Sequence, residues 1–204
     1  QLNNIRYRGS ATRIHFALNG LPEIPGVTQD QMGTVFSIAP SIEYLERAAD
    51  SVKYGRVPEA PYVEFTLPSV ANPDFAPDGK HVLSATVQNA PYKLRDQAWN
   101  EVTRNQLTQN VIRVIENYAP GFSSKIESSS LLIPMDMEAQ FGLTEGNLNH
   151  GEMTLDQFMF MRPTASTAQY KSPVENLYLC GPGTHPGGGL HGTNGFNAAR
   201  EMLK

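Results

Sequence analysis

The most informative segment of this chain reads Asn176-Leu-Tyr-Leu-Cys-Gly-Pro-Gly-Thr-His-Pro-Gly-Gly-Gly-Leu-His-Gly-Thr-Asn-Gly-Phe-Asn-Ala-Ala-Arg200. A short apolar run predicts a strand over 177–180, and a helix is predicted over 196–203. The loop between them contains the glycines Gly181, Gly183, Gly187, Gly188, Gly189, Gly192 and Gly195. Backbone without Cβ atoms lets a flat or anionic ligand come close, and a helix start adds free N–H groups and partial positive charge. The segment therefore predicts a turn that contacts a cofactor.

A dinucleotide-binding fingerprint of the Rossmann type is the first alternative, because Gly181 and Gly183 follow the predicted strand. The third glycine of that motif is missing, since position 186 is proline and Gly187 comes one residue late. The motif also needs a second parallel strand and an acidic residue about 20 residues further on, whereas this sequence stops at Lys204. The second alternative is a glycine-rich loop that binds no ligand.

Three runs of sequence resemble the phytoene desaturase-like flavoproteins. They are the glycine-rich run 177–189, the run Gly151-Glu-Met-Thr-Leu-Asp-Gln-Phe-Met-Phe-Met-Arg-Pro163, and the opening run Arg8-Gly-Ser-Ala-Thr-Arg-Ile-His-Phe-Ala-Leu-Asn19. The resemblance covers nearly the whole chain. It implies that an amino-terminal half with the FAD-binding Rossmann motif is missing here and is the partner of this sequence, which begins at Gln1. We therefore expect a carboxy-terminal fragment of a larger flavoenzyme.

The same resemblance implies which residues contact FAD. Near the pyrophosphate or ribitol it places Gly181 and Gly183. Close to the flavin ring it places Gly187, Gly188, Gly189 and Leu190. The helix that points at the ring would begin with Thr193, Asn194 and Gly195. His191 stands where the family usually has proline, so its role is open. Because the chain supplies only one wall of such a site, we do not expect it to retain FAD by itself.

The element pattern predicts an α+β fold with a mixed, largely antiparallel sheet and helices on one side. Strands are expected at 13–18, 34–38, 62–67, 81–87 and 126–133. Turn-forming residues between the third and fourth strands predict that these two are antiparallel neighbours. This architecture matches the flavoenzyme substrate domain that the resemblance implies, with residues 1–175 forming that domain and residues 176–204 completing the FAD site.

Two further helices are predicted. Ser41 is expected to cap the first and Gly55 to end it, with an apolar face made of Ile42, Leu45, Ala49 and Val52. The second is expected over 96–118, because Leu107, Val111, Val114, Ile115 and Tyr118 fall on one stripe and a Pro-Gly pair follows.

The residues just before the glycine-rich segment are predicted to bind the substrate: Phe158, Phe160, Met161 and Arg162. Aromatic and methionine side chains suit an irregular apolar ligand. Arg162 would place a cation near the flavin or the substrate, although a lone arginine is more often the partner of a structural ion pair. The expected reaction is hydride transfer from an apolar C–C or C–N unit to FAD, with no catalytic residue identified. The alternative is a non-catalytic module of the same fold that binds a small molecule or a protein.

Composition narrows the remaining classes of function. The net charge of −4, from 16 basic and 20 acidic residues, produces no positive potential that would attract a polyanion. Nucleic acid is therefore not an expected partner. The single cysteine, Cys180, is expected to be a small buried hydrophobe rather than a redox group, which suits a reducing cytoplasm. No apolar run is long enough to span a membrane, so we expect a cytoplasmic protein, with peripheral membrane attachment left open. His185 and His191 lack the further ligands that a metal site needs.

Overall fold

The computed structural model describes residues 2–189 and 191–204. Two compact units are present. The sheet unit is Ser10–Asp136, and the loop unit combines Gln1–Gly9 with Met137–Lys204. The expected boundary between residues 175 and 176 falls inside the loop unit. Within the described ranges, no helix is long and apolar enough to cross a membrane.

Five strands form one sheet in the sheet unit. They are β1 (Thr12–Leu18), β2 (Phe36–Ile38), β3 (Val63–Thr66), β4 (His81–Val87) and β5 (Ile126–Leu132). Their spatial order is β2-β3-β4-β1-β5, and every neighbouring pair is antiparallel. The predicted largely antiparallel sheet is confirmed, including the pairing of the third and fourth strands. The second and third strands are shorter than predicted.

Alternation along β1 creates the core of the sheet unit. Ile14, Phe16 and Leu18 are fully buried, whereas the residues between them are half-buried. Phe16 lies opposite Leu83 of β4, and its ring meets that of Phe122 edge to face with the centroids 5.4 Å apart. Because side chains alternate between faces, a register slip of one residue would turn this whole apolar set away from the core.

The helix α1 (Ile42–Tyr54) has the predicted ends but not the predicted buried face. Ser41 Oγ accepts from the Tyr44 N–H at 3.1 Å, and Gly55 ends the helix with a φ of 62°. Ile42, however, is 74% exposed, and the buried residue of the helix is Ala48. The apolar spacing identifies an amphipathic helix, but the core of the sheet unit is already filled by strand residues and by a later helix.

A short helix, α2 (Pro68–Ala71), comes next in the chain. The later helix that fills the core is α3 (Glu101–Glu116), and it starts five residues later than predicted. Asn100 and Thr103 form a capping box: Asn100 Oδ1 accepts from the Thr103 N–H at 3.1 Å, and Thr103 Oγ1 accepts from the Asn100 N–H at 2.9 Å. Such a reciprocal cap fixes the first turn and excludes the preceding residues from the helix. From the predicted stripe, Leu107, Val111, Val114 and Ile115 join the core of the sheet unit, whereas Tyr118 is exposed.

The loop unit is assembled from both ends of the chain. It contains most of α4 (Pro134–Phe141) and all of α5 (Thr193–Met202). The Arg6 N–H donates to Gln157 Oε1 at 2.8 Å, and the Arg6 carbonyl accepts from Gln157 Nε2 and from the Glu152 N–H, each at 2.9 Å. A Cβ atom at Gly9 would collide with the carbonyl of Glu145, so the opening run needs glycine at this point.

An ion pair within the sheet unit joins α3 to the first turn of α4. Arg104 Nη1 and Nη2 donate to the two carboxylate oxygens of Asp136 at 2.6 and 2.7 Å. The carboxylate also accepts from the Ile133 N–H at 3.0 Å. These hydrogen bonds, with that of Arg104 the strongest, hold the pKa of Asp136 below its ordinary value. A depressed carboxyl pKa means that the ionised form stabilises the fold.

Asp136→Asn should therefore lower the free energy of unfolding at neutral pH and flatten its pH dependence in acid. In the wild-type chain this contribution is complete above the unfolded carboxyl pKa, near 3.9, and is lost as pH falls through the lower folded value. Urea unfolding between about pH 6 and pH 2 measures it. Asp78→Asn, at an exposed carboxyl group of the same unit, is the matched control. Identical pH slopes for wild type and Asp136→Asn would show that the pair contributes nothing.

Candidate functional site

The segment that leads into the glycine-rich loop is not a strand, which corrects the prediction for residues 177–180. Lys171 and Tyr178 form an isolated antiparallel bridge, and the Leu179 N–H donates to the Tyr170 carbonyl at 2.7 Å. The Leu177 N–H donates to the Val174 carbonyl at 3.2 Å and so closes a turn. One bridge is shorter than the three or more residues of an ordinary strand.

Cys180 is exposed rather than buried, which corrects the second prediction for this segment. An apolar run predicts burial only if it enters a sheet or core. Here residues 177–180 lie outside the five-stranded sheet, so no second layer covers the thiol.

Asn194, in the first turn of α5, holds the glycine-rich loop, which we define as residues 181–189. Its side chain is 6% exposed. Its Nδ2 lies 3.0–3.2 Å from four oxygens: the carbonyls of Thr184, His185 and Gly187, and the Thr184 hydroxyl. That hydroxyl in turn donates to the Gly181 carbonyl at 2.8 Å. The side-chain amide of Asn194 is therefore engaged within the protein, where it fixes the shape of the loop.

Tyr170, which is buried, forms a second set of hydrogen bonds that hold the loop. Its hydroxyl donates to the His185 carbonyl at 2.8 Å and accepts from Asn197 Nδ2 at 2.8 Å. Two residues of α5, Asn194 and Asn197, thus connect the helix to the loop, one directly and one through Tyr170. The loop is held by side-chain amides and a phenol.

At the start of α5, one backbone N–H group already has a partner within the protein. His191 Nδ1 accepts from the Thr193 N–H at 3.1 Å, and Gly192 caps the helix with a φ of 67°. In this structure His191 therefore accepts the hydrogen bond of the Thr193 N–H. Leu190, also predicted to contact the cofactor, lies outside the described residues.

The glycines of the loop fall into two groups. Gly181, Gly187 and Gly189 have φ values of +95°, +119° and +127°, which side chains rarely adopt. Gly183 and Gly188 do not have positive φ, and a Cβ atom there would meet its nearest neighbours at ordinary distances of 3.7 and 3.5 Å. Gly195, inside α5, has open space where its Cβ would be. The fold explains the first group of glycines and leaves the second group without a structural requirement.

Arg162 lies directly below the loop. Its side chain is 2% exposed, and Nη2 donates to the carbonyls of Asn149, His150 and Gly151 at 2.6, 3.0 and 3.2 Å. A Cβ atom at Gly187 would lie 3.3 Å from Nη1. Arg162 therefore clamps the 149–151 backbone by its carbonyl groups, and within the described ranges no acidic group forms an ion pair with it.

A cavity of about 310 Å³ opens beside this guanidinium. Its lining includes Ile5, Tyr7, His150, Arg162, Leu179 and Cys180. Burial, and secondarily the Arg162 charge, lower the pKa of His150, which favours its neutral form. Sequence reasoning missed Tyr7 and His150, because residue 7 reaches this place through pairing with residues about 150 positions later.

The other residues predicted to bind the substrate lie elsewhere. A short 3-10 turn carries Met159–Met161, in which Phe160 is 71% exposed and Met161 is half-buried. Phe158 is half-buried as well. Of the four predicted substrate residues, the structure places only Arg162 in the wall of the 310 Å³ cavity. Among residues 2–189 and 191–204, no three His, Cys, Asp or Glu side chains are grouped as a metal site would require.

The whole chain is similar to a mammalian oxidoreductase. It is 38% identical to pyridine nucleotide-disulfide oxidoreductase domain-containing protein 2 of Rattus norvegicus, over 100% of this chain and 37% of that protein. It is 34% identical to a limonene dehydrogenase polypeptide of Castellaniella defragrans over 30% of this chain and 11% of that protein. It is 32% identical to the lycopene-forming phytoene desaturase of Pantoea ananas over 43% of this chain and 17% of that protein. No family model matches the chain. The chain thus spans little more than a third of the length of the rat protein.

Asn194→Ala should destabilise the loop unit by about 1–3 kcal/mol, because it leaves buried oxygens without a donor. Amide hydrogen exchange of residues 181–189 should accelerate more than that of the rest of the unit. The matched control is Asn105→Ala, at an exposed position of α3, which should change stability by less than about 0.5 kcal/mol. Unchanged exchange in the loop of Asn194→Ala would contradict the role given to this amide.

Proposed function

Because this chain is similar along its whole length to pyridine nucleotide-disulfide oxidoreductase domain-containing protein 2, and over part of its length to phytoene desaturases, we propose that it forms the carboxy-terminal part of an FAD-dependent oxidoreductase. Residues 1–175 would contribute the substrate domain and residues 176–204 the part that completes the FAD site. The FAD-binding Rossmann half would come from elsewhere in the complete enzyme.

The observation that carries this proposal is the presence of glycines that the fold itself does not need. Gly183 and Gly188 are neither strained nor crowded, so alanine would fit in the chain as it stands. A ligand lying against the loop backbone supplies the missing reason, since Cβ atoms would hold it away. The residues present therefore fit a flat, tightly apposed group such as FAD. Gly181, Gly187, Gly189, Thr193, Asn194 and Gly195 would frame the same surface.

When bound, FAD supplies the acceptor for a hydride. The chain supplies orientation. The Asn194 and Tyr170 hydrogen bonds hold the loop backbone in one conformation before any ligand arrives, which lowers the ordering cost of binding. Arg162, fixed by three carbonyls and lying against Gly187, would add positive charge next to the loop. Positive charge at that place stabilises a group that gains electrons.

We propose an apolar C–C or C–N substrate. The names of two relatives identify limonene and phytoene, both hydrocarbons, as what those enzymes act on. In this chain, Phe158, Phe160 and Met161 offer apolar surface close in sequence to the loop. In such an oxidation one carbon gives a hydride to the flavin, and the neighbouring carbon or nitrogen gives a proton to water.

The isolated 204-residue chain should bind FAD weakly and purify without yellow colour. It lacks the βα turn that grips a pyrophosphate, and one open wall cannot enclose so large a ligand. Isothermal titration calorimetry with FAD measures this directly. A dissociation constant below about 1 μM would mean that the chain carries a complete flavin site and that the proposed division is wrong.

In the complete flavin-loaded enzyme, Gly188→Val should reduce flavin occupancy severely while leaving the protein folded. The Cβ atom is accommodated by the chain itself, so its effect reports on what lies above the loop. The matched control is Gly20→Val, since a Cβ atom at Gly20 meets only the flexible end of Lys125, at 3.6 Å. Flavin content is read from the absorption of the purified protein and folding from circular dichroism. Full flavin content in Gly188→Val would remove the loop from the contact surface.

A further inference from the structure

Within residues 2–189 and 191–204, Arg162 is a buried cation without an acidic partner. Its partners are three backbone carbonyls at Nη2 and the Met153 thioether, 3.2 Å from Nη1. Carbonyl dipoles fix the position of the guanidinium but leave its full charge uncompensated. Burying an unpaired charge is costly, so an anion that reached this group would be bound strongly.

The acids closest in sequence are already engaged by other arginines. Glu152 accepts from both Arg8 and Arg6, and Asp156 accepts from Arg6 at 2.8 Å. These bonds lower the pKa of both carboxyl groups, so they are ionised and paired at neutral pH. Neither forms a bond with Arg162 in the described part of the chain. The positive charge of Arg162 therefore remains available to a ligand.

The cavity beside Arg162 combines this charge with apolar walls. Ile5, Leu179 and the ring of Tyr7 line it together with Arg162, and its volume is about 310 Å³. That volume lies at the lower end of the range for small-molecule sites, so the cavity suits a short ligand or one end of a longer one. Thioether sulfur is a weak acceptor, and a carboxylate oxygen would replace it at Nη1 with a large gain in hydrogen-bond strength.

We propose that this cavity is a binding site for the carboxylate group of an amphiphilic molecule, with Arg162 as its cationic floor and the apolar walls holding the first part of the hydrocarbon body. This site goes beyond the flavin function proposed above and shares Arg162 and Gly183 with it, and its test uses the chain without flavin. A ligand of this cavity would have an apolar body that ends in a carboxylate.

The chain contains its own probe for this charge. Cys180 is the single cysteine, it is exposed, and it lines the same cavity. Its thiolate displaces iodide from iodoacetate, which is anionic, or from iodoacetamide, which is neutral and of similar size. The ratio of the two alkylation rates cancels the thiolate fraction and reports the local potential. Relative to the urea-unfolded chain, the folded chain should favour iodoacetate by roughly threefold or more.

Variants assign the preference to Arg162. Arg162→Met should bring the rate ratio to that of the unfolded chain, and Arg162→Lys should keep most of the preference. Arg200→Met removes an exposed arginine from α5, outside the lining of this cavity, and should leave the ratio unchanged. A ratio in the folded wild-type chain equal to that in urea overturns the proposal, as does a preference that survives in Arg162→Met.

Ligand protection tests the site without any substitution, and it decides the matter if Arg162→Met does not fold. Octanoate and octanamide share the same chain and differ in the charged head. Octanoate should slow alkylation of wild-type Cys180 by iodoacetamide at concentrations where octanamide has little effect. Equal protection by the two compounds, or protection by neither, would show that the cavity does not recognise a carboxylate. Because no flavin is present, the result stands apart from the FAD predictions.

Discussion

The carboxamide of Asn194 is the interaction on which the candidate site depends. A loop with so many glycines has many accessible backbone conformations, and ordering it costs more entropy than ordering most segments of the same length. One buried NH₂ group within 3.0–3.2 Å of four oxygens holds three positions of the loop, residues 184, 185 and 187, against α5. The result is a loop that is both rich in glycine and held in one shape. Glycine content alone would give the first property without the second.

The sheet could be predicted well because its signals are local. Alternation in β1 and the turn-rich segment before β4 are short-range patterns that set faces and pairing. The Asn100-x-x-Thr103 spacing marks the start of α3, whereas apolar periodicity alone places that start too early. The apolar face of α1 shows a different limit. Periodicity identifies an amphipathic helix, whereas what covers that helix is a property of the tertiary structure, and Ile42 is not buried in this chain.

The candidate site can be located from the sequence, but its internal contacts cannot. The glycine-rich segment indicates the place, and nothing in it shows that Asn194 faces inward or that His191 bonds the Thr193 N–H. A lone arginine such as Arg162 suggests an ion pair, whereas the structure gives it carbonyls, which any sequence can supply. Tyr7 and His150 become cavity residues through pairing between distant segments, which single-sequence patterns do not encode.

In sequence, the sheet unit lies between the two segments of the loop unit, and this order affects how the chain folds. The sheet unit is contiguous, Ser10–Asp136, so it can collapse as soon as its own residues have been synthesised. The first nine residues must wait, because the groups that bond Arg6 belong to residues 152–157. Closing that distance in an unfolded chain costs loop entropy, and a sheet unit that is already folded shortens the effective loop. The opening segment thus leaves the ribosome before the residues with which it pairs, and its native hydrogen bonds form only after residues 152–157 have been synthesised.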